Sequence, residues 1–167
     1  MFAKAAPEWK ERVKQDETQR ICSQYQSQLP AAEAEKIRAR EMATVVYPES
    51  GVMGGDWKKG EAVAQSGQGG QFSDNEQTVH GGNCYACDQL APSEVSYGTL
   101  GPTLLGYGKA RKFSTEEAKA TYAKLYNSQS AQACSMMPRF GYHKFLNEAQ
   151  LKDVLAYLYD PASPVNK

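Results

Sequence analysis

The sequence predicts an all-α protein of short helices joined by long, glycine-rich loops. Helical periodicity recurs in separated segments, and no segment alternates apolar and polar residues well enough to read as a strand. Glycines and prolines punctuate the chain between those segments, and no internal repeat is visible.

From the N-terminus, Pro7 suits the first turn of a helix. Trp9, Val13, Ile21 and Tyr25 recur at roughly helical spacing, which predicts a helix over 7–28, interrupted by Pro30. The stretch AAEAEKIRAREMATVV, residues 31–46, is rich in good helix formers and ends before Pro48 and the glycines of PESGVMGGD. These segments make a predicted N-terminal helical arm, residues 1–54, and a second unit occupies 55–167. In that unit Asp56 can cap a short helix over 56–67 that Gly67 ends. A polar, glycine-rich loop, GQGGQFSDNEQ, follows over 67–77. Residues 96–108, SYGTLGPTLLGYG, predict irregular chain packed through Leu100, Leu104, Leu105 and Tyr107. Ser114, with Glu117 three residues on, is a capping-box pattern that opens a helix over 114–128. The last helix, 147–161, puts Leu151, Val154, Leu155 and Leu158 on one face, and Pro161 stops it.

Composition narrows the function classes. Lysine plus arginine number 19, aspartate plus glutamate also 19, and the zero balance gives no support to nucleic-acid binding or a polybasic membrane contact. No apolar run approaches the roughly 20 residues a membrane span needs. The opening MFAKAAPEWK is too short and too polar for a signal peptide, which fits a cytosolic chain or one whose leader has been removed. Few helices and long loops bury little regular surface. Either a large apolar cofactor fills the middle, or a small helical domain carries functional loops.

The stretch GGNCYACDQL, residues 81–90, sets Cys84 and Cys87 in a C-x-x-C spacing that four chemistries use. A redox dithiol belongs at a helix start after a strand, and no strand is predicted. Zinc needs two further ligands, and Cys22, Cys134, His80 and His143 are each isolated in the sequence. A disulfide across so small a loop is strained. Covalent haem attachment takes two thiols on one turn, ordinarily with histidine next and a methionine farther along for the other face. In CSMMPRFGY, residues 134–142, Met137 precedes Pro138, whose fixed φ stiffens the chain beside the sulfur. Met136 and Met137 as core fillers are the other reading of that pair. Haem attachment accounts for most of these features; a zinc or dithiol protein is the alternative.

Five blocks in order carry a family resemblance: GDWKKGEA (55–62), TVHGGNCYACDQL (78–90), YGTLGPTLLGYG (97–108), KLYNSQSAQACSMMPRFG (124–141) and LNEAQLKDVLAYLYDPASPVNK (146–167). Together they resemble SoxX, the small c-type cytochrome subunit of the SoxAX complex of bacterial thiosulfate oxidation. ICSQYQ (21–26) and the arm are similar less specifically. The resemblance implies a class I cytochrome c fold over 55–167, with helix 56–67 crossing helix 147–159 at one edge of a haem pocket. It implies one haem c, bonded to Cys84 and Cys87, with Met137 as the distal iron ligand. Leu100, Leu104, Leu105, Phe140 and Leu155 are candidates for the apolar wall. The function implied is electron transfer, by a non-catalytic subunit of an L-cysteine S-thiosulfotransferase that couples thiosulfate to a carrier-protein cysteine. The implied partners are a SoxA-like haem subunit in a heterodimer, a SoxYZ-like carrier and a small cytochrome acceptor, and the implied compartment is the periplasm. In that oxidising setting Cys22 and Cys134 are expected to pair and tie the arm to the Met137 loop. Such a cross-link contributes about 4–5 kcal/mol in the chain-entropy account.

The family's proximal histidine falls on Asp88. A carboxylate is a hard anionic ligand that favours ferric iron, so a lower potential is expected. Four states are compatible with this substitution: haem with Asp88 as a weak ligand, haem with His80 as a substitute ligand, haem with water in that place, and no haem. The last makes the chain a haem-deficient structural or interaction subunit. His80, in a polar loop before two glycines, also reads as a solvated residue, and His143 as a surface one.

Overall fold

The computed structural model describes residues 14–26, 28–71, 74–75 and 77–167. Among the described residues the helices run in the order α1 (Glu17–Tyr25), α2 (Ala31–Met42), α3 (Trp57–Gln65), α4 (Tyr107–Ala110), α5 (Thr115–Tyr126) and α6 (Glu148–Tyr159). Three-residue 3₁₀ turns lie at Cys84–Ala86, Ser128–Ser130 and Pro164–Asn166. The fold class is all-α: the described residues contain no strand, and an isolated parallel bridge joins Gln89 to Thr103. None of the described helices is long and apolar enough to cross a membrane.

Side-chain caps set most helix starts. Asp16, Asp56, Ser114 and Asn147 accept hydrogen bonds from the free amides of α1, α3, α5 and α6. The cap at Asp16 corrects the helix expected over 7–28. Residues 14–16 are not helical, because Asp16 and Gln19 form a reciprocal capping box that starts the helix at Glu17. Pro7, Trp9 and Val13 lie outside the described residues. Helix α2 stops at Met42, short of 46, where the β-branched run Thr44–Val46 begins and Thr44 and Val45 donate turn-type bonds to Glu41 and Met42. Residues 96–108 are irregular until Tyr107, which begins the single turn of α4. The C-terminal tail caps that turn: the amides of Gly108 and Lys109 donate to Asn166 Oδ1 at 2.9 and 3.2 Å. Asn166 Nδ2 in turn donates to the carbonyls of Leu158 and Asp160, both at 3.0 Å, which fastens the tail to the end of α6.

The core lies among α3, α5 and α6. Leu151, Val154, Leu155 and Leu158, expected on one face of the last helix, are all buried there, together with Tyr157 and Tyr159. Each such aliphatic side chain contributes about 1.5–3 kcal/mol. Helix α3 reaches the α6 backbone through Gly60, where a Cβ would fall 1.9 Å from the Asp153 carbonyl oxygen and 2.9 Å from Tyr157 Cβ. Asp153 also accepts from the Asp56 amide at 2.8 Å, so one residue of α6 receives the start of α3. Close packing of the 96–108 loop is only half realised. Leu104 and Tyr107 lie against the core, but Leu105 is 40% and Leu100 82% exposed.

The division at 54/55 falls in the loop between α2 and α3. The arm is fastened to the rest of the chain by the Cys22–Cys134 disulfide and by buried polar contacts from Glu41. Helix α2 packs on the turn Ser128–Ser130.

Substitution at the α3–α6 crossing gives a direct test. Gly60→Ala gains up to about 1 kcal/mol of helix propensity but forces a methyl into backbone, and overpacking costs about 1–3 kcal/mol. We expect a net loss in urea denaturation; a raised midpoint contradicts the close approach.

Candidate functional site

The C-x-x-C turn is held on three sides. Asn83 takes the left-handed conformation, φ 46° and ψ 42°, and the 3₁₀ turn Cys84–Ala86 follows it. Before the turn, the amides of Gly81, Gly82 and Asn83 donate to the carbonyls of Gln68, Val63 and Ser66 at 2.8–2.9 Å, which ties the segment to the end of α3. Gly81 is pressed there so closely that a Cβ would fall 2.1 Å from the Ser66 carbonyl oxygen. After the turn, the amides of Gly98, Gly101 and Leu104 donate back to the carbonyls of Tyr85, Cys87 and Gln89 at 2.8, 2.9 and 2.7 Å. Inside, the buried Tyr85 hydroxyl meets the Tyr157 hydroxyl of α6 at 2.7 Å. Both thiols of the turn are free.

Cys84 is packed against the core, and its thiol is pushed up to about 12, first by burial and then by the Asp88 charge. Such a thiol is a poor thiolate at neutral pH, which does not suit a redox dithiol. Among the described residues no group of three or more His, Cys, Asp or Glu side chains gathers to hold a metal ion. Asp88 is half-buried, its carboxyl against Gly101, where a Cβ would fall 2.0 Å from Oδ1. Burial raises its pKa, and the Lys124 charge opposes that only in part.

His80 is engaged elsewhere. Its Nδ1 is 2.9 Å from the Phe145 carbonyl oxygen, its ring stacks on Phe145 at 4.5 Å, and Nε2 faces Asp74 at 3.7 Å. Both ring nitrogens therefore have partners of their own. This corrects one expectation: His80 is not a solvated loop residue, because it fastens its loop onto residue 145. His143 is exposed, with its ring edge-on to Tyr142 at 5.0 Å.

The two methionines separate. Met136 is 92% exposed, while Met137 lies against the same core cluster as Cys84 and Leu104. The Met137 amide donates to Ser135 Oγ at 3.2 Å, and its carbonyl accepts from Ser128 Oγ at 2.6 Å. Of the expected apolar wall, Phe140 and Leu155 are buried and Leu104 is partly so; Leu100 and Leu105 project to the surface.

Sequence reasoning missed the polar cluster behind this loop. Arg139 is 5% exposed, and its guanidinium pairs with Glu41 at 2.5 Å and with Asp16. Glu41, also buried, accepts from Asn127 Nδ2 at 2.8 Å and from the Thr18 hydroxyl. Burial alone raises Asp16, but the Gln19 amide and Arg139 outweigh it and hold the carboxyl below its ordinary value. The one signal in the sequence was a charged residue set between Pro138 and Phe140. Cys134 is bonded to Cys22 of α1.

The chain matches no family model. It is similar to an uncharacterized lipoprotein of Aquifex aeolicus (strain VF5), 38% identical over 161 residues, covering 92% of this chain and 73% of that protein. This overturns the resemblance to SoxX: the relative carries no cytochrome designation.

The pKa shift at Asp88 predicts a pH effect. Its carboxyl titrates higher folded than unfolded, so wild-type stability falls as pH rises from the ordinary carboxylate value through the folded one. Asp88→Asn removes that loss. The variant should be the more stable at neutral pH, and the gain should vanish on acidification. A variant less stable at pH 7 in urea titration contradicts an uncompensated carboxylate.

Proposed function

The chain belongs to the family of the Aquifex aeolicus lipoprotein, and from that premise we propose that it is an exported electron-transfer protein carrying one haem c on Cys84 and Cys87. One observation carries the reading: two free thiols on a single fastened turn, with Met137 laid against the same core cluster as Cys84. The relative's name supports export, and so does the Cys22–Cys134 bond, of a kind that persists in oxidising compartments such as the periplasm. The close crossing of α3 and α6 at Gly60, with the cysteine turn tied to the end of α3, supports a class I cytochrome c arrangement.

When bound, haem supplies a one-electron ferric/ferrous couple. The chain's own residues do the holding. Cys84 and Cys87 would hold the group through two thioether bonds, formed by addition of each S–H to a vinyl group with nothing released and no oxidant consumed. Met137 would offer a neutral thioether that favours the reduced state. Asp88 stands in the position after the second cysteine, where burial holds its carboxyl above the ordinary value. Phe140, Leu155 and Leu104 exclude water. The chain acts as an electron carrier whose partner class is a second redox protein.

Asp88 itself favours a second reading, a haem-free interaction protein of the same fold. Both readings are tested by producing the full chain, exported, in a haem-attaching host. We expect an intact mass equal to chain plus one haem and a Soret band that survives denaturation. Asp88→His should then give a low-spin spectrum. A colourless wild type beside a haem-bearing Asp88→His selects the second reading, and two colourless proteins overturn the attachment site.

A further inference from the structure

Hydrogen bonds within residues 128–137 shape the Met137 loop: Ser128 Oγ donates to the Met137 carbonyl, the Met137 amide donates to Ser135 Oγ, and Gln129 Nε2 donates to the Ser135 carbonyl at 3.0 Å. The loop is also tied to the end of α5, where the Gly141 and Tyr142 amides donate to the Tyr126 carbonyl at 3.0 and 2.9 Å and Ser130 Oγ donates to the Ala123 carbonyl at 3.3 Å. Two further contacts, one on each side of Met137, both come from the N-terminal arm. On one side Cys134 is bonded to Cys22, across a sequence separation of 112. On the other, Arg139 is buried against Glu41 and Asp16.

We infer that the arm is a clamp that sets the position of the Met137 thioether, with Glu41 as its positioning residue. The inference deepens the proposed function and rests on it for what Met137 ligates. Glu41 is suited to the role because one buried carboxylate gathers three parts of the chain: Thr18 of α1, Asn127 at the end of α5 and Arg139 of the loop. Asn127 also accepts from Arg139 Nε through Oδ1 at 3.1 Å, so the guanidinium is fixed on more than one edge. Arg139 lies over the Tyr142 ring at 3.7 Å, which covers its remaining face. A buried ion pair is a weak source of net stability compared with apolar packing. Directional hydrogen bonds, however, define one register, where a greasy contact tolerates several. The arrangement is therefore suited to fixing a loop in place rather than to holding the fold together, a task that α3, α5 and α6 already perform.

The test uses the full exported chain in two variants, Glu41→Gln and the pair Cys22→Ser with Cys134→Ser. Amide hydrogen exchange is read over 135–141 and, for comparison, over α3 and α6. The thioether-to-ferric-iron absorption and the reduction potential are read on the same samples. We expect loop exchange to quicken about tenfold or more in each variant while α3 and α6 keep their rates. Haem should stay attached, with the thioether band weakened and the potential lowered. Unchanged loop exchange in both variants overturns the clamp, as does a uniform rise in the loop, α3 and α6 together, which marks a merely structural arm. If Glu41→Gln does not fold, the cysteine pair decides by the same criterion. If the chain carries no haem, the proposed function fails, while the clamp is still judged on exchange.

Discussion

The buried pairing of Arg139 with Glu41 is the constraint on which the candidate site depends. Two charges removed from water cost several kcal/mol each unless their hydrogen-bonding capacity is met. Here it is met by Asp16 and Thr18 at the start of α1 and by Asn127 at the end of α5, two separate stretches of chain. Satisfying those charges brings α1, α2, the end of α5 and the loop after Met137 together at one point. Removing either charge leaves the other with only part of its partner set, so the arm and the loop hold one another in place.

The opposite side of the site is built mainly by backbone. There the glycines let backbone approach backbone: Gly60 on α6, Gly81 on the end of α3, and Gly98 on the cysteine turn, where a Cβ would fall 1.9 Å from the Ala86 carbonyl oxygen. The result is a cysteine turn whose amides and carbonyls are paired on both flanks, with Tyr85 pinned to α6. A polar clamp on the methionine side and close backbone packing on the thiol side are two solutions to one problem: holding irregular chain still when little regular structure surrounds it.

Much of the helical frame was legible in the residues. Asp56 and Ser114 were readable as caps because a short side-chain acceptor before a helical run has a local partner. The face of the last helix was readable because its leucines repeat at helical spacing. Elements that depend on distant chain were not. Glu41 looks like any solvated glutamate in AAEAEKIRAREM until Arg139 closes over it, and those residues lie far apart in sequence. Leu100 and Leu105 looked like core because they are leucines, yet both are exposed, since burial of a loop side chain depends on what it folds against. Family assignment rested on separate blocks, whereas the identity to the Aquifex protein runs along nearly the whole chain.

A double-mutant cycle on Glu41 and Arg139 tests the central claim most directly. Stability is measured for the wild type, Glu41→Gln, Arg139→Met and the pair. If the two charges form the shared anchor, the losses from the single changes do not add, and the double change costs less than their sum by about 2–3 kcal/mol. Losses that add, with no coupling between the two positions, would contradict the account.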